Sequence, residues 1–235
     1  MTVIGVKSIP LEKSTNTAWK TVPNFWFIAR EREWHSVLRH INSHNYQAVL
    51  NLGAIELDTD AIGTTVFNKT QTIKAISLPT ALRRTLESFI PESTTSHPHW
   101  HKSGGFGGSG NWYCDGRCPA HVRGDIQRHI DGKEYRIITV GNSVVQASRK
   151  SDRHTRRYGR NEFVYSWIGI EGIRKGGFIP FIKEAVSEIP YGNTSMLGWD
   201  VLHDGNKPWI IEANTCPGVN THTATRIIEK IKELS

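Results

Sequence analysis

Asp200, Glu212 and Asn214 are the side chains whose types and spacing are best suited to chemistry. They lie in two apolar runs, MLGWDVL and PWIIEAN, joined by HDGNK, where Asp204-Gly205 is a strong turn dipeptide. The runs read as an antiparallel strand pair. Side chains two apart on a strand share a face, so Glu212 and Asn214 point one way and Asp200 joins them from the facing strand. Oxygen donors on a rigid sheet suit Mg2+, which binds one or two carboxylates and keeps positions for water and phosphate oxygens. Trp199, Val201, Ile211 and Ala213 are expected to bury the opposite face. Pro217-Gly218 follows directly and turns the chain beside the carboxylates. The same spacing also fits a plain solvated hairpin face.

A second group begins at Lys102, which ends a short strand-like segment and is followed by SGGFGGSG, with Gly104, Gly105, Gly107 and Gly108. Glycines let backbone N–H groups approach phosphate oxygens with no side chain in the way. The stretch lacks the GK[ST] ending of a P-loop and does not open a helix as GxGxxG does, so neither common nucleotide motif is present. Further on, RKSDRHTRRYGR over 149–160 is strongly basic and reads as a loop. It either selects an acidic substrate or is simply solvated. Cys114, Cys118 and Cys216 are too few and odd in number for a disulfide framework, and fit a reducing compartment. The CxxxC pair, with His121 after it and His97, His99 and His101 before it, does not complete a four-ligand zinc pattern and reads as loop cysteines.

The elements that must position these residues follow from hydrophobic periodicity. FWFIAR and YQAVLNLG read as buried strands flanking a helix with Trp34, Val37, Leu38 and Ile41 on one face, a small βαβ-like unit; residues 1–20 show no clear period. Ile73, Ile76, Leu82, Leu86 and Phe89 have helical spacing broken by Pro79, and 91–98 reads as a loop. YRIITVG and SVVQAS form a hairpin across Gly141-Asn142. FIPFIKEAVSEI and the segment with Ile227, Ile228, Ile231 and Leu234 read as helices. At 235 residues, with 37% apolar and 22% charged side chains, the chain holds one good core or two small lobes and is not a disordered protein. The net charge of +7 favours anionic ligands. No apolar run is long enough to span a bilayer, and the first residues lack a secretory pattern, so a cytoplasmic protein is expected.

Taken in order, Asn68-Lys69, Lys102 with its glycine loop, IQRHIDGKEYR, the V-G-x-x-V-V hairpin leading to a basic loop, GxDVL and ExNxxPG resemble the ATP-grasp superfamily, in particular its ribosomal-protein and α-glutamate ligase branch. The resemblance runs from about Asn68 to Gly218, and its last two motifs are the specific ones. It implies an α+β fold in which two lobes grip a nucleotide, here behind an abbreviated N-terminal lobe. The expected division is 1–66 for that lobe, 67–130 for the small lobe with the glycine loop and 131–235 for the large lobe with the metal site.

The resemblance also implies roles. Lys69 and Lys102 would hold the α- and β-phosphates of ATP, and Gly104, Gly105, Gly107 and Gly108 would close over the γ-phosphate. Gln127, Arg128, His129 and Ile130 would form the adenine hinge, which is shorter than in the glutamate ligases. Glu134 would bind the ribose hydroxyls, where the family more often has Asp. Asp200, Glu212 and Asn214 would hold Mg2+, as two ions, with Mn2+ able to substitute. Arg136, Arg149, Lys150 and Asn161 would meet the transferred phosphate or the substrate carboxylate, and the three histidines would flank the entrance. The implied reaction joins a carboxylate, from an amino acid or acidic peptide, to an amine, and the short first lobe suits a homodimer. Alternatives are an ATP-grasp kinase, a non-catalytic nucleotide binder, or a basic nucleic-acid-binding protein supported by the charge and eight tryptophans. Most of those tryptophans sit in apolar runs, where packing is their use.

Overall fold

The computed structural model describes residues 2–7, 13–23, 25–29, 34–102, 111–116, 124–150, 155–157, 160–162 and 165–235. The chain opens with β1 (Val3–Lys7), α1 (Lys13–Lys20), β2 (Phe25–Ala29), α2 (Trp34–Ser43), β3 (Ala48–Leu52) and β4 (Thr65–Phe67). Their strands form one parallel sheet in the order β2-β1-β3-β4. The first strand and helix fall in the stretch whose sequence shows no period. β1 is buried on both faces, so it carries no alternation, and its run of apolar residues is short.

Next come α3 (Thr70–Ile76), α4 (Pro79–Thr85), β5 (His99–Lys102), β6 (Trp112–Cys114) and β7 (Asp125–Arg128). Pro79 supplies the first turn of α4, where its missing N–H costs nothing. The three strands make an antiparallel sheet in the order β6-β5-β7. Arg83 on α4 ties this sheet down, donating from Nε to Asp125 and from Nη2 to the carbonyls of Pro91 at 2.9 Å and Ile126 at 3.1 Å.

The remainder is β8 (Lys133–Val140), β9 (Ser143–Lys150), β10 (Thr155–Arg157), β11 (Arg160–Glu162), β12 (Tyr165–Trp167), α5 (Gly169–Arg174), α6 (Phe178–Glu188), β13 (Met196–His203), β14 (Pro208–Asn214) and α7 (Thr221–Leu234). A five-stranded antiparallel sheet runs β12-β9-β8-β13-β14. The basic stretch read as a loop contains part of β9 and the small β10-β11 hairpin. Strand pairing there overrides a local composition that reads as loop. α7 starts at Asn220, whose side chain accepts the Thr223 N–H at 2.9 Å, and buries Ile227, Ile228 and Ile231.

Two apolar clusters sandwich the five-stranded sheet. Ile137, Ala147, Leu197, Trp199, Val201, Ile210 and Ala213 face α3 to α6, whereas Ile138, Val140, Val145 and Met196 pack with α7 and with β1 and β3. The N-terminal sheet therefore shares a core with the large sheet. One expected core position changes. A β-bulge shifts the register so that Asp200 opposes Glu212 but Val201 opposes Ile210, and Ile211 is the extra residue. Ile210 takes the core place that strict alternation gives to Ile211, which is only partly buried.

Candidate active site

The second face of the large sheet changes character along its strands. At one end it is apolar, against α7; towards β14 it presents Asp200, Arg136 and Glu212. Asp200 stands directly opposite Arg136 on β8 and Glu212 on β14, close enough in an antiparallel ladder for side chains to touch. Arg136 grips Asp200 with two parallel bonds, Nε to Oδ1 and Nη2 to Oδ2, each 2.8 Å. Such a fork is among the stronger charge-assisted arrangements. Beside it the Lys150 ammonium is paired with the Glu134 carboxylate.

Lys102, at the end of β5, reaches the same place from the small sheet. Burial pushes its pKa down, while the negative charges of Glu212, Glu134 and Asp200 act against that shift. Burial and the neighbouring Asp200 charge raise the pKa of Glu212, opposed by Lys102 and Arg136. The side chain of Glu212 is reached by solvent, yet enough protein surrounds its carboxylate to remove part of its hydration. Three carboxylates, Asp200, Glu212 and Glu134, thus meet three cations, Lys102, Arg136 and Lys150.

Asn214 completes the group. Its Oδ1 is buried and has no hydrogen-bond partner among the described residues. Gly198 lies opposite Asn214, and a Cβ there would come 2.5 Å from Pro217. The glycine in GxDVL is thus what lets the Pro217-Gly218 turn fold against β13 beside the oxygens.

Other residues named from the sequence are distributed as follows. Lys69 donates to Asp60 at 3.1 Å and lies over the Tyr191 ring. Its neighbour Asn68 has φ of 61°, is fully buried and binds three segments at once. Its Nδ2 donates to the carbonyls of Asn51 at 3.1 Å and Thr215 at 3.4 Å, and its Oδ1 accepts the Met196 N–H at 2.7 Å. It joins the end of β3, the start of β13 and the loop after β14. Gln127 is buried and donates to Asp125 at 3.2 Å. Arg128 lies over Trp209, and Ile130 is buried. His129 contacts Asp131 and accepts from Trp100 Nε1 at 3.0 Å. Arg149 sits on β9 opposite Tyr135 and Ser166, and Asn161 lies on β11 opposite Arg156. Gly104, Gly105, Gly107 and Gly108 lie outside the described residues, as do Cys118, His121 and Arg153.

Two features escape the sequence reading. Trp100, Tyr113 and His129 form an aromatic group against the hinge, with Lys102 over the Trp100 ring. Trp100 alternates with Lys102 on its strand, which was the available signal. His99 and His101 alternate with Trp100 and Lys102 and therefore occupy the opposite face of β5. Cys114 is disulfide-bonded, whereas Cys216 is a free thiol whose burial raises its pKa to about 12. The disulfide departs from the expectation that these cysteines fit a reducing compartment.

No family model and no curated protein matches the sequence. Solved structures do match. D-alanine–D-alanine ligase from Bacillus anthracis superposes with a TM-score of 0.70 at 10% identity, covering 100% of this chain and 97% of that one. The ATP-grasp ligase PsnB, in complex with its minimal precursor, gives 0.66 at 13% identity, with 100% and 99% covered. A RimK-domain ATP-grasp protein from Sphaerobacter thermophilus gives 0.60 at 14%, with 97% and 99% covered. The first of these has also been solved with ATP, and PsnB with Mg and ADP. Alignment over the whole chain at such low identity is agreement in backbone architecture, and this chain has the ATP-grasp fold.

Proposed function

We propose that the protein is an ATP-dependent carboxylate–amine ligase that forms an amide and releases ADP and phosphate. The observation that carries this reading is the meeting of Lys102 with Asp200 and Glu212 on one cleft floor, beside the unpartnered Oδ1 of Asn214. The donor set is all oxygen, two carboxylates and one amide carbonyl, which suits magnesium. Asp200, Glu212 and Asn214 would hold magnesium as two ions, with Mn2+ able to substitute. When bound, the metal withdraws charge from phosphate oxygens.

The chain's own groups have separable tasks. Lys102 neutralises charge on the phosphates without a nucleophilic role. Arg136, which holds Asp200 in the ligand-free state, turns part of its donor fork to the transferred phosphoryl group. Lys150 and Arg149 orient the substrate carboxylate, and Glu134 accepts from the ribose hydroxyls. Gln127, Arg128, His129 and Ile130 line adenine, and Lys69 with Gly104, Gly105, Gly107 and Gly108 complete the phosphate side. A carboxylate oxygen attacks the γ-phosphorus, and the bond to the bridging oxygen breaks to release ADP. The amine then attacks the acyl carbon, phosphate leaves, and the surplus amine proton goes to solvent.

The decisive measurement is ADP release from MgATP against a panel of amino acids and acidic peptides, with mass spectrometry of any active mixture. The ligase reading expects a product lighter by one water than its two parts, and at least about a hundredfold loss of turnover in Glu212→Gln. A phosphorylated product would make the protein a kinase. The basic segment over 149–160 supports an acidic carboxylate or acceptor. Charge reversal at Arg153, Arg156 and Arg157 should therefore raise KM for an acidic peptide about tenfold or more while the affinity for ATP stays unchanged. Equal loss of both would remove this segment from substrate selection.

A further inference from the structure

The described small sheet has an unusual deficit. None of the described residues of β5, β6 or β7 belongs to any of the three apolar clusters that hold the rest of the molecule together. Yet this sheet carries Lys102, whose position must be fixed for it to serve phosphate. A three-stranded sheet without an apolar core needs another staple.

Behind Lys102, on the opposite face of β5, His99 stands directly across from Cys114 on β6. The ligand atoms of His97, His99 and Cys114 lie within 4.8 Å of one another, and His99 and Cys114 are buried. The His97 and His99 rings stack with centroids 4.9 Å apart. His99 Nδ1 is 3.1 Å from the Ser96 carbonyl oxygen, which can only accept, so this nitrogen carries the proton and Nε2 carries the lone pair. A backbone carbonyl holding one ring nitrogen so that the other can ligate is the usual support of a metal-bound histidine. In the metal-free protein Nε2 of His101 lies 3.1 Å from that Nε2 and donates to it, so zinc would take the lone pair in place of this bond. The Nδ1 of His101 then has a lone pair, is buried, and has no partner.

We propose that, in its reduced form, the protein binds one zinc ion through His97, His99 and the Cys114 thiolate, stapling β5 to β6 behind the phosphate lysine. Two imidazoles and one thiolate are a borderline-soft set suited to zinc, with one position left for a further ligand. In the structure Cys114 is disulfide-bonded, and its sulfur carries no charge with which to ligate. A dithiol, itself oxidised to a disulfide, or a phosphine, which takes the oxygen of a water molecule and leaves its two protons, reduces the bond to two thiols. Zinc then displaces the Cys114 thiol proton to solvent. Disulfide and metal are thus alternative states of Cys114, chosen by the redox state of the surroundings.

The test uses the full chain, free of any affinity tag, with cobalt(II) as a spectroscopic stand-in for zinc. With a phosphine reductant, one equivalent of cobalt should give a thiolate-to-cobalt band in the near ultraviolet and the intense visible bands of tetrahedral coordination, all removed by one equivalent of zinc. The air-oxidised protein should give neither. His97→Ala, a change at an exposed side chain, and Cys114→Ser should each weaken binding about tenfold or more. Cys216 is a poor source of the band, because its buried thiol resists ionisation. A reduced protein with no thiolate band, a band that survives Cys114→Ser, or unaltered affinity in His97→Ala would each overturn the assignment.

Discussion

Glu212 and Lys102 are held in protonation conditions that disfavour their charges. Burial is the first cause for both, raising the carboxyl pKa and lowering that of the ammonium. For Glu212 the folded value lies above the unfolded one. Between the two, the native state keeps a proton that the unfolded chain has released, so stability is highest below the unfolded pKa and falls as pH rises through the folded one. The penalty persists at neutral pH. Glu212→Gln should therefore raise the unfolding midpoint of the ligand-free protein at pH 7 by a few degrees, even as it removes MgATP turnover; a lowered midpoint would mean that the carboxylate stabilises the empty fold. The gain should shrink as pH is lowered into the carboxylate range, where wild-type Glu212 also becomes neutral. Function and stability are opposed at this residue because its charge is useful only when a cation is beside it.

Among the elements, the β13-β14 hairpin has the most to hold, since it carries all three candidate metal ligands. Its turn is fixed by Asp204, whose carboxylate accepts the N–H groups of Asn206 at 2.8 Å and Lys207 at 2.9 Å, and Trp209 Nε1 at 2.8 Å. These bonds lower its pKa from 3.8 to about 2. The contribution of a depressed carboxylate is present above the unfolded value and is lost as pH falls through the folded one. Asp204→Ala should be less stable than the wild type at pH 7, with the difference closing between about pH 4 and pH 2. A difference independent of pH over that range would assign the turn's rigidity to something other than the ionised carboxylate. The bulge at Asp200/Val201 belongs to the same element, because it keeps Glu212 opposite Asp200 while Ile210 enters the core.

Across the whole molecule, stability is unevenly distributed. The large sheet lies between two apolar clusters, whereas β5, β6 and β7 depend on Arg83, on strand pairing and on the Cys114 link. Amide hydrogens of His99–Lys102 should exchange at least about tenfold faster than those of Met196–Val201 in the ligand-free protein, because local opening requires less buried surface to be exposed. MgATP should slow the former selectively, and at a hundred times its Kd should stabilise the protein by about 2.7 kcal/mol. Equal protection of the two sheets without nucleotide would show that the small sheet is held by more than these contacts.

The sequence alone determined the elements whose signals are local. The strands around Asp200 and Glu212, the helix with Pro180 in its first turn and the hairpin at Gly141-Asn142 are all legible, since hydrophobic period and turn chemistry act over a few residues. The order of motifs from Asn68 to Gly218 carried the fold. Tertiary structure alone decided the partners of each charge: Arg136 on Asp200, Lys150 on Glu134 and Lys69 on Asp60. It also gave Asn68 its role as a joint between three segments and put His99 and His101 on the face of β5 opposite Lys102. Such pairings depend on strand register and on which face turns inward. A bulge of one residue changes both, and neither is written in the local pattern.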